Sequence, residues 1–127
     1  MNRISLVTGG QGFIGGHLVK ALLDRGDEVV VLDLTGAPGH ALRLHGVEAD
    51  VRLAEGDVAD PDSVGRAIEG VSSVFHLAAQ TLVGPAADDP EGTFRSNVEG
   101  TWVILEAARR LEGIEAVVVA SSDKAYG

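Results

Sequence analysis

The chain has 127 residues, 45% of them hydrophobic, and a formal net charge of −9, which fits one domain with a real core. That charge argues against a surface that neutralises nucleic-acid phosphates, and no apolar run approaches the ~20 residues of a membrane span. The absence of cysteine excludes disulfides and thiolate metal sites, and Met1-Asn2-Arg3 leads straight into an apolar run, so export is not expected and a cytoplasmic protein is.

The first apolar run, Ile4–Thr8, predicts a strand. A glycine-rich stretch follows, and then Ile14, Leu18, Ala21 and Leu22 recur at helical spacing, predicting a helix over Phe13–Arg25 with Gly26 suited to its C-terminus. A second strand, Glu28–Asp33, ends on a carboxylate. Thr35-Gly36-Ala37-Pro38-Gly39 reads as a loop, with a short helix around Ala41–Leu44. Further strands are expected at Val51–Glu55, Ser73–Ala78 and Ala116–Ser121, and helices at Pro61–Glu69 and Pro90–Arg110. Asp60-Pro61 and Asp89-Pro90 each offer a capping carboxylate before a proline at the first helical position. Strands alternating with helices imply a parallel sheet wound by right-handed crossovers. The expected fold is α/β, a Rossmann-type doubly wound parallel sheet of about five strands in the order 3-2-1-4-5.

Gly9, Gly12 and Gly15 form G-x-x-G-x-x-G between a strand and a helix. Gly9 would permit a tight turn, Gly12 would let the backbone approach a pyrophosphate, and Gly15 would let the helix pack close to the strand. The triplet alone is also what a plain strand-to-helix turn looks like in a chain with 17 glycines. Asp33 tips the balance, because it ends the second strand about 20 residues on, where a ribose-reading carboxylate belongs. A carboxylate accepts from a free 2′-hydroxyl and repels a 2′-phosphate, so NAD is favoured over NADP.

From Phe94 to Leu111 apolar residues, including Val98, Trp102 and Leu105, cover more than one stripe of the predicted helix. A helix flanking a sheet should have a polar outer face, so a second burial partner is expected and Trp102 reads as packing. His76, between Phe75 and Leu77, reads as a structural strand histidine. His17, His40 and His45 have no ligand spacing, and no metal site is assigned.

With these elements placed, the chain resembles the N-terminal part of an extended short-chain dehydrogenase/reductase of the NAD-dependent epimerase/dehydratase family, which acts on nucleotide sugars. The residues that carry the resemblance are Thr8–Gly15, Asp33, Gly56-Asp57-Val58, His76–Gln80, Asn97–Thr101 and Ser121–Gly127, and they run the length of the chain. The resemblance implies that residues 1–127 are an NAD-binding domain, with Phe13 and Ile14 beside the pyrophosphate and Asp33 on the adenosine ribose. It puts Asp57 and Val58 at the adenine, and Leu77, Ala78 and Ala79 along the cofactor, with Asn97 and Ser121 nearby. Asn97 alternatively bonds a loop backbone, and both roles could coexist.

In the family the position four before the Tyr-Gly pair bonds the sugar's reacting hydroxyl; here that is Ser122. Asp123 and Lys124 stand where the acid and base of sugar 4,6-dehydratases stand, and the Asp-Lys pair is similar to the CDP-glucose type. The glycine turn is more like that of epimerases. Elimination of water needs an acid at the leaving oxygen and a base at the neighbouring carbon, so burial of Asp123 and Lys124 is expected to tune both; the plain alternative is an ion pair at a strand end. The family's Tyr-x-x-x-Lys pair is not found, the only lysines being Lys20 and Lys124. The expectation is a fragment of a larger homodimeric enzyme, lacking the sugar-binding domain and inactive alone. A 4,6-dehydratase is the first reading, with a 4-epimerase or reductase and a non-catalytic NAD-binding module as alternatives.

Overall fold

The computed structural model describes residues 2–36 and 40–127. Five parallel strands form one sheet: β1 (Ile4–Thr8), β2 (Glu28–Asp33), β3 (Arg52–Glu55), β4 (Ser73–His76) and β5 (Ala116–Val119). Their order is β3-β2-β1-β4-β5, as the alternation predicts. The central strands are continuous apolar runs because both faces are covered. Alternation along each strand divides the core in two. On one face Leu6, Val30, Leu32 and Val74 pack under α3 (Pro61–Ile68) and α6 (Gly100–Arg110). On the other, Val7, Val29 and Val31 pack under α1 (Phe13–Asp24) and α2 (His40–Leu44). The predicted loop residues Ala37–Gly39 lie outside the described residues.

The capping signals act as read. Asp60 accepts the N–H groups of Asp62 and Ser63 at the start of α3, and Asp89 accepts that of Gly92 at the start of α5 (Pro90–Phe94). Gly26 ends the first helix in the left-handed region at φ +94°. Beyond single-residue shifts at element ends, four elements differ from expectation, one of them β5, which ends at Val119 instead of Ser121. Strand β4 stops at His76 instead of Ala78: the Leu77 N–H divides between the Thr8 carbonyl and hydroxyl, at 3.2 and 3.0 Å, and that of Ala78 goes to the hydroxyl. A helix unseen in the sequence, α4 (Val83–Asp88), precedes α5; it has no side-chain cap and no buried residue, so neither signal announces it. The predicted Pro90–Arg110 helix is interrupted by one π turn, Arg95–Glu99, in which Gly100 N–H reaches the Arg95 carbonyl. Along this helix Phe94, Val98, Trp102 and Leu105 remain exposed, as its breadth foretold.

Candidate functional site

The carboxyl ends of β1, β2 and β4 meet where the chain leaves β1 towards one side of the sheet and returns on the other. Open α/β sheets take their ligands at such a point. Gly9 turns the chain there with φ +69° and donates to the Leu32 carbonyl at 2.9 Å. A Cβ on Gly15 would stand 2.2 Å from the Gly9 carbonyl oxygen. The close approach that Gly15 permits is thus between the helix's first turn and the glycine turn itself, more than between helix and strand. Gly10, not singled out in the sequence, packs on β2: a Cβ there would lie 2.8 Å from a Val31 methyl. Gly12 is exposed, and a Cβ on it would meet only the Gly9 carbonyl, at 3.3 Å.

The twelve-residue α1 starts without a side-chain cap and without an acidic residue in its first turn. The N–H groups of Phe13, Ile14 and Gly15 have no partner within the helix, and the dipole adds positive potential there. Elsewhere, α3 and α5 have carboxylates at this position. An uncapped helix end beside an open glycine, with no carboxylate in the helix's own first turn, fits a pyrophosphate. Phe13 and Ile14, in that first turn, are 80% and 69% exposed.

Asp33 stands beside this turn, half-buried. Its carboxylate accepts the Gln11 N–H at 3.1 Å and the Leu34 N–H at 2.9 Å. Two donors fix its orientation and leave acceptor capacity free. Gln11 is a residue that sequence reasoning missed, since its contribution is backbone only. Asp57, after β3, accepts the Ala59 N–H at 2.9 Å. The Val58 side chain is buried against Gly100, so only its backbone can face a ligand.

After β4, Leu77 and Ala78 are half-buried and Ala79 is exposed. The Thr8 hydroxyl accepts the N–H groups of Leu77 and Ala78 at 3.0 and 3.1 Å, and a Cβ on Gly9 would touch the Ala78 backbone at 3.0 Å. The glycine turn and this loop therefore form one wall. His76, 3% exposed, has Thr8 on Nδ1 at 2.7 Å and Thr101 on Nε2 at 3.1 Å. Burial holds its imidazole below the ordinary value, which agrees with the structural reading of this histidine. Asn97, inside the π turn, bonds both backbone groups of Gln80, at 2.7 and 3.0 Å.

Ser121, Ser122, Asp123 and Lys124 follow β5 and are all exposed. Ser122 caps a short 3₁₀ turn, Asp123–Tyr126, accepting the Lys124 N–H at 3.2 Å. Asp123 and Lys124 make no ion pair among the described residues, and the burial expected of them is not present in these 127 residues. No described group of three His, Cys, Asp or Glu could hold a metal ion.

Residues 5–127 match the NAD dependent epimerase/dehydratase family. The dTDP-glucose 4,6-dehydratase of Mycobacterium tuberculosis is 40% identical over 124 residues, covering 96% of this chain and 37% of that protein. The UDP-glucose 4-epimerase of Erwinia amylovora is 37% identical over 129 residues, covering 96% and 37% respectively. Among solved structures, the Thermus thermophilus UDP-glucose 4-epimerase in complex with NAD matches with a TM-score of 0.79 at 39% identity, over 94% of this chain and 37% of that one. The Thermotoga maritima UDP-glucose 4-epimerase with UDP-glucose gives a TM-score of 0.84 at 30% identity, over 98% and 40%. The chain spans a little over a third of the length of the curated relatives it matches. In sequence and in fold, this chain belongs to the NAD dependent epimerase/dehydratase family.

Proposed function

We propose that these 127 residues are the NAD-binding part of an enzyme that acts on a nucleotide sugar, with 4,6-dehydration as the favoured reaction. The observation that carries the cofactor reading is the uncapped start of α1 beside Gly12, with Asp33 at the end of the neighbouring strand. In this reading the N–H groups of Phe13, Ile14 and Gly15 hold the pyrophosphate, and Asp33 accepts from the adenosine ribose. Asp57 accepts from the adenine amine while the Val58 N–H meets a ring nitrogen. Leu77, Ala78 and Ala79 line the dinucleotide on its way across the sheet, with Asn97 behind their loop and Ser121 at the end of β5. When bound, NAD supplies a hydride acceptor for the sugar.

Ser122 would bond the reacting hydroxyl, Asp123 protonate the leaving oxygen and Lys124 act at the neighbouring carbon. These groups lie in the open here, and elimination needs them covered. The substrate, or protein beyond these residues, would supply that cover. The Asp123-Lys124 pair favours the dehydratase. A 4-epimerase or reductase is the second reading, supported by the epimerase relatives and the glycine turn. A non-catalytic NAD-binding module is the third. The exposed Phe94, Val98, Trp102 and Leu105 support a homodimer, and a cytoplasmic location accords with the lack of any described helix long and apolar enough to cross a membrane.

Incubation of the protein with NAD and nucleotide-glucose substrates, read by product mass, separates these readings. A product lighter by one water supports the dehydratase. An isomer of unchanged mass supports the epimerase, and no product with intact NAD binding supports the module.

A further inference from the structure

Thr8 and His76 have no role in the chemistry proposed above, yet their bonds run in one direction only. Thr8 is fully buried. Its hydroxyl oxygen receives the N–H groups of Leu77 and Ala78, which fills both lone pairs. The hydroxyl proton is left to donate, and His76 Nδ1 lies 2.7 Å away. Nδ1 is therefore an acceptor, the ring is neutral, and its proton sits on Nε2. That N–H donates to Thr101, whose hydroxyl donates in turn to the Asn97 carbonyl at 3.0 Å. The Asn97 side chain grips the Gln80 backbone. Both ends of this chain of bonds land on the 77–80 loop.

We propose that Thr8 and His76 are positioning residues: with His76 neutral they hold the 77–80 loop in the form that receives the dinucleotide, and a proton taken up at Nδ1 releases it. The proposal rests on reading that loop as part of the cofactor site. A proton on Nδ1 would face the Thr8 proton. The hydroxyl could turn to accept it only by giving up Ala78 or its share of Leu77, whose N–H also reaches the Thr8 carbonyl at 3.2 Å, because three donors would compete for two lone pairs. Either loss removes one of the two bonds by which the Thr8 side chain holds the loop, and leaves the hydroxyl proton without its Nδ1 acceptor, which weakens the hold on the loop.

The ring meets Thr8 from β1 and Thr101 from α6, and its register partner on β5 is Val119. No described charged side chain bonds to it, and burial is the only cause of its lowered basicity. The sign follows: the holding form is complete at neutral pH and is lost as pH falls below the ordinary histidine range.

The test follows the protein by ¹⁵N NMR from about pH 8 to about pH 5, alongside calorimetry of NAD binding over the same range. The ring should carry its proton on Nε2 at the upper end, and the Leu77 and Ala78 amide signals should move with its titration. NAD affinity should be level at the upper end and drop about tenfold with that titration; His76→Asn, which keeps an acceptor near Nδ1 but cannot titrate here, should flatten the profile. Thr8→Val should displace the same two amide signals and weaken NAD about tenfold, and Thr8→Ser should restore both. A ring protonated on Nδ1 at neutral pH, amides indifferent to the titration, or a pH slope that survives His76→Asn would each overturn the proposal. Unchanged NAD affinity in Thr8→Val would do so even if the ring stays neutral throughout. Amides that follow the titration in a protein binding no NAD at any pH would support the loop coupling and overturn the cofactor reading instead.

Discussion

Gly12 and Gly15 belong to the same motif but face different surroundings, so their substitutions should fail differently. A side chain on Gly15 would run into the Gly9 carbonyl at 2.2 Å, a clash between two backbones that neither can relieve. Gly15→Val should therefore lower the midpoint of urea unfolding as well as abolish NAD binding, by an overpacking cost of about 1–3 kcal/mol or more. Gly12→Val has nearly open space on its own side. It should leave the unfolding midpoint close to that of the parent while removing NAD affinity; retained affinity would take the pyrophosphate away from this turn. Asp33 has two duties, holding Gln11 and Leu34 and, in the proposed role, reading the ribose. Asp33→Asn keeps one acceptor oxygen and removes the charge. NAD should weaken about tenfold, as expected for loss of a hydrogen bond to a charged group, and NADP should gain relative to NAD. An unchanged ratio would assign ribose discrimination to another residue.

At the scale of elements, the sequence was readable wherever burial or a cap imposes a pattern. Strands β1 and β2 are covered on both faces, so their apolar runs mark their ends residue for residue. Asp60 and Asp89 marked two helix starts because their carboxylates occupy them. What stayed hidden depends on bonds between distant side chains. At the early end of β4 the Thr8 hydroxyl takes the Ala78 N–H from 70 residues away and shares that of Leu77 with the Thr8 carbonyl. The π turn carries Asn97, whose side chain is committed to Gln80 and whose carbonyl is taken by Thr101. No periodicity encodes either. The outer face of α6 and its preceding turns was legible, and it remains uncovered, with Trp102 57% exposed. If a second copy covers that face, Trp102→Glu should shift the protein towards monomer in sedimentation while leaving NAD affinity intact. A parent protein that is already monomeric would point to another cover.

For the molecule as a whole, acid should act in two stages. His76 is neutral and buried, with its imidazole below the ordinary value near 6.5. A basic group with a lowered folded pKa contributes stability that is complete above the unfolded value and lost as pH falls towards the folded one. The second stage belongs to carboxylates. Asp27 is held below the usual range by Arg25 and Ser5, and Glu106 is pushed down to about 2 by Arg109 and Arg110. Their contribution is present above the ordinary carboxylate range and fades as pH drops through their folded values. Urea unfolding across pH should show the first decline near the histidine range and a second in acid, and His76→Asn should remove only the first. A single acid step in the parent would mean that folding does not lower the basicity of His76.

The placement of the candidate site was legible in outline: glycine turn, carboxylate and small-residue loop all lie at the carboxyl ends of the strands, as their spacing implied. The burial expected of Asp123 and Lys124 is the part that the structure does not bear out, since both are exposed among the described residues. The most direct measurement is calorimetric titration of the folded protein with NAD and with NADP. Binding of NAD, with NADP weaker by about tenfold or more for the charge repulsion at Asp33, is the expected result. A folded protein that binds neither, or binds both equally, would contradict the assignment of these strand ends as an NAD site.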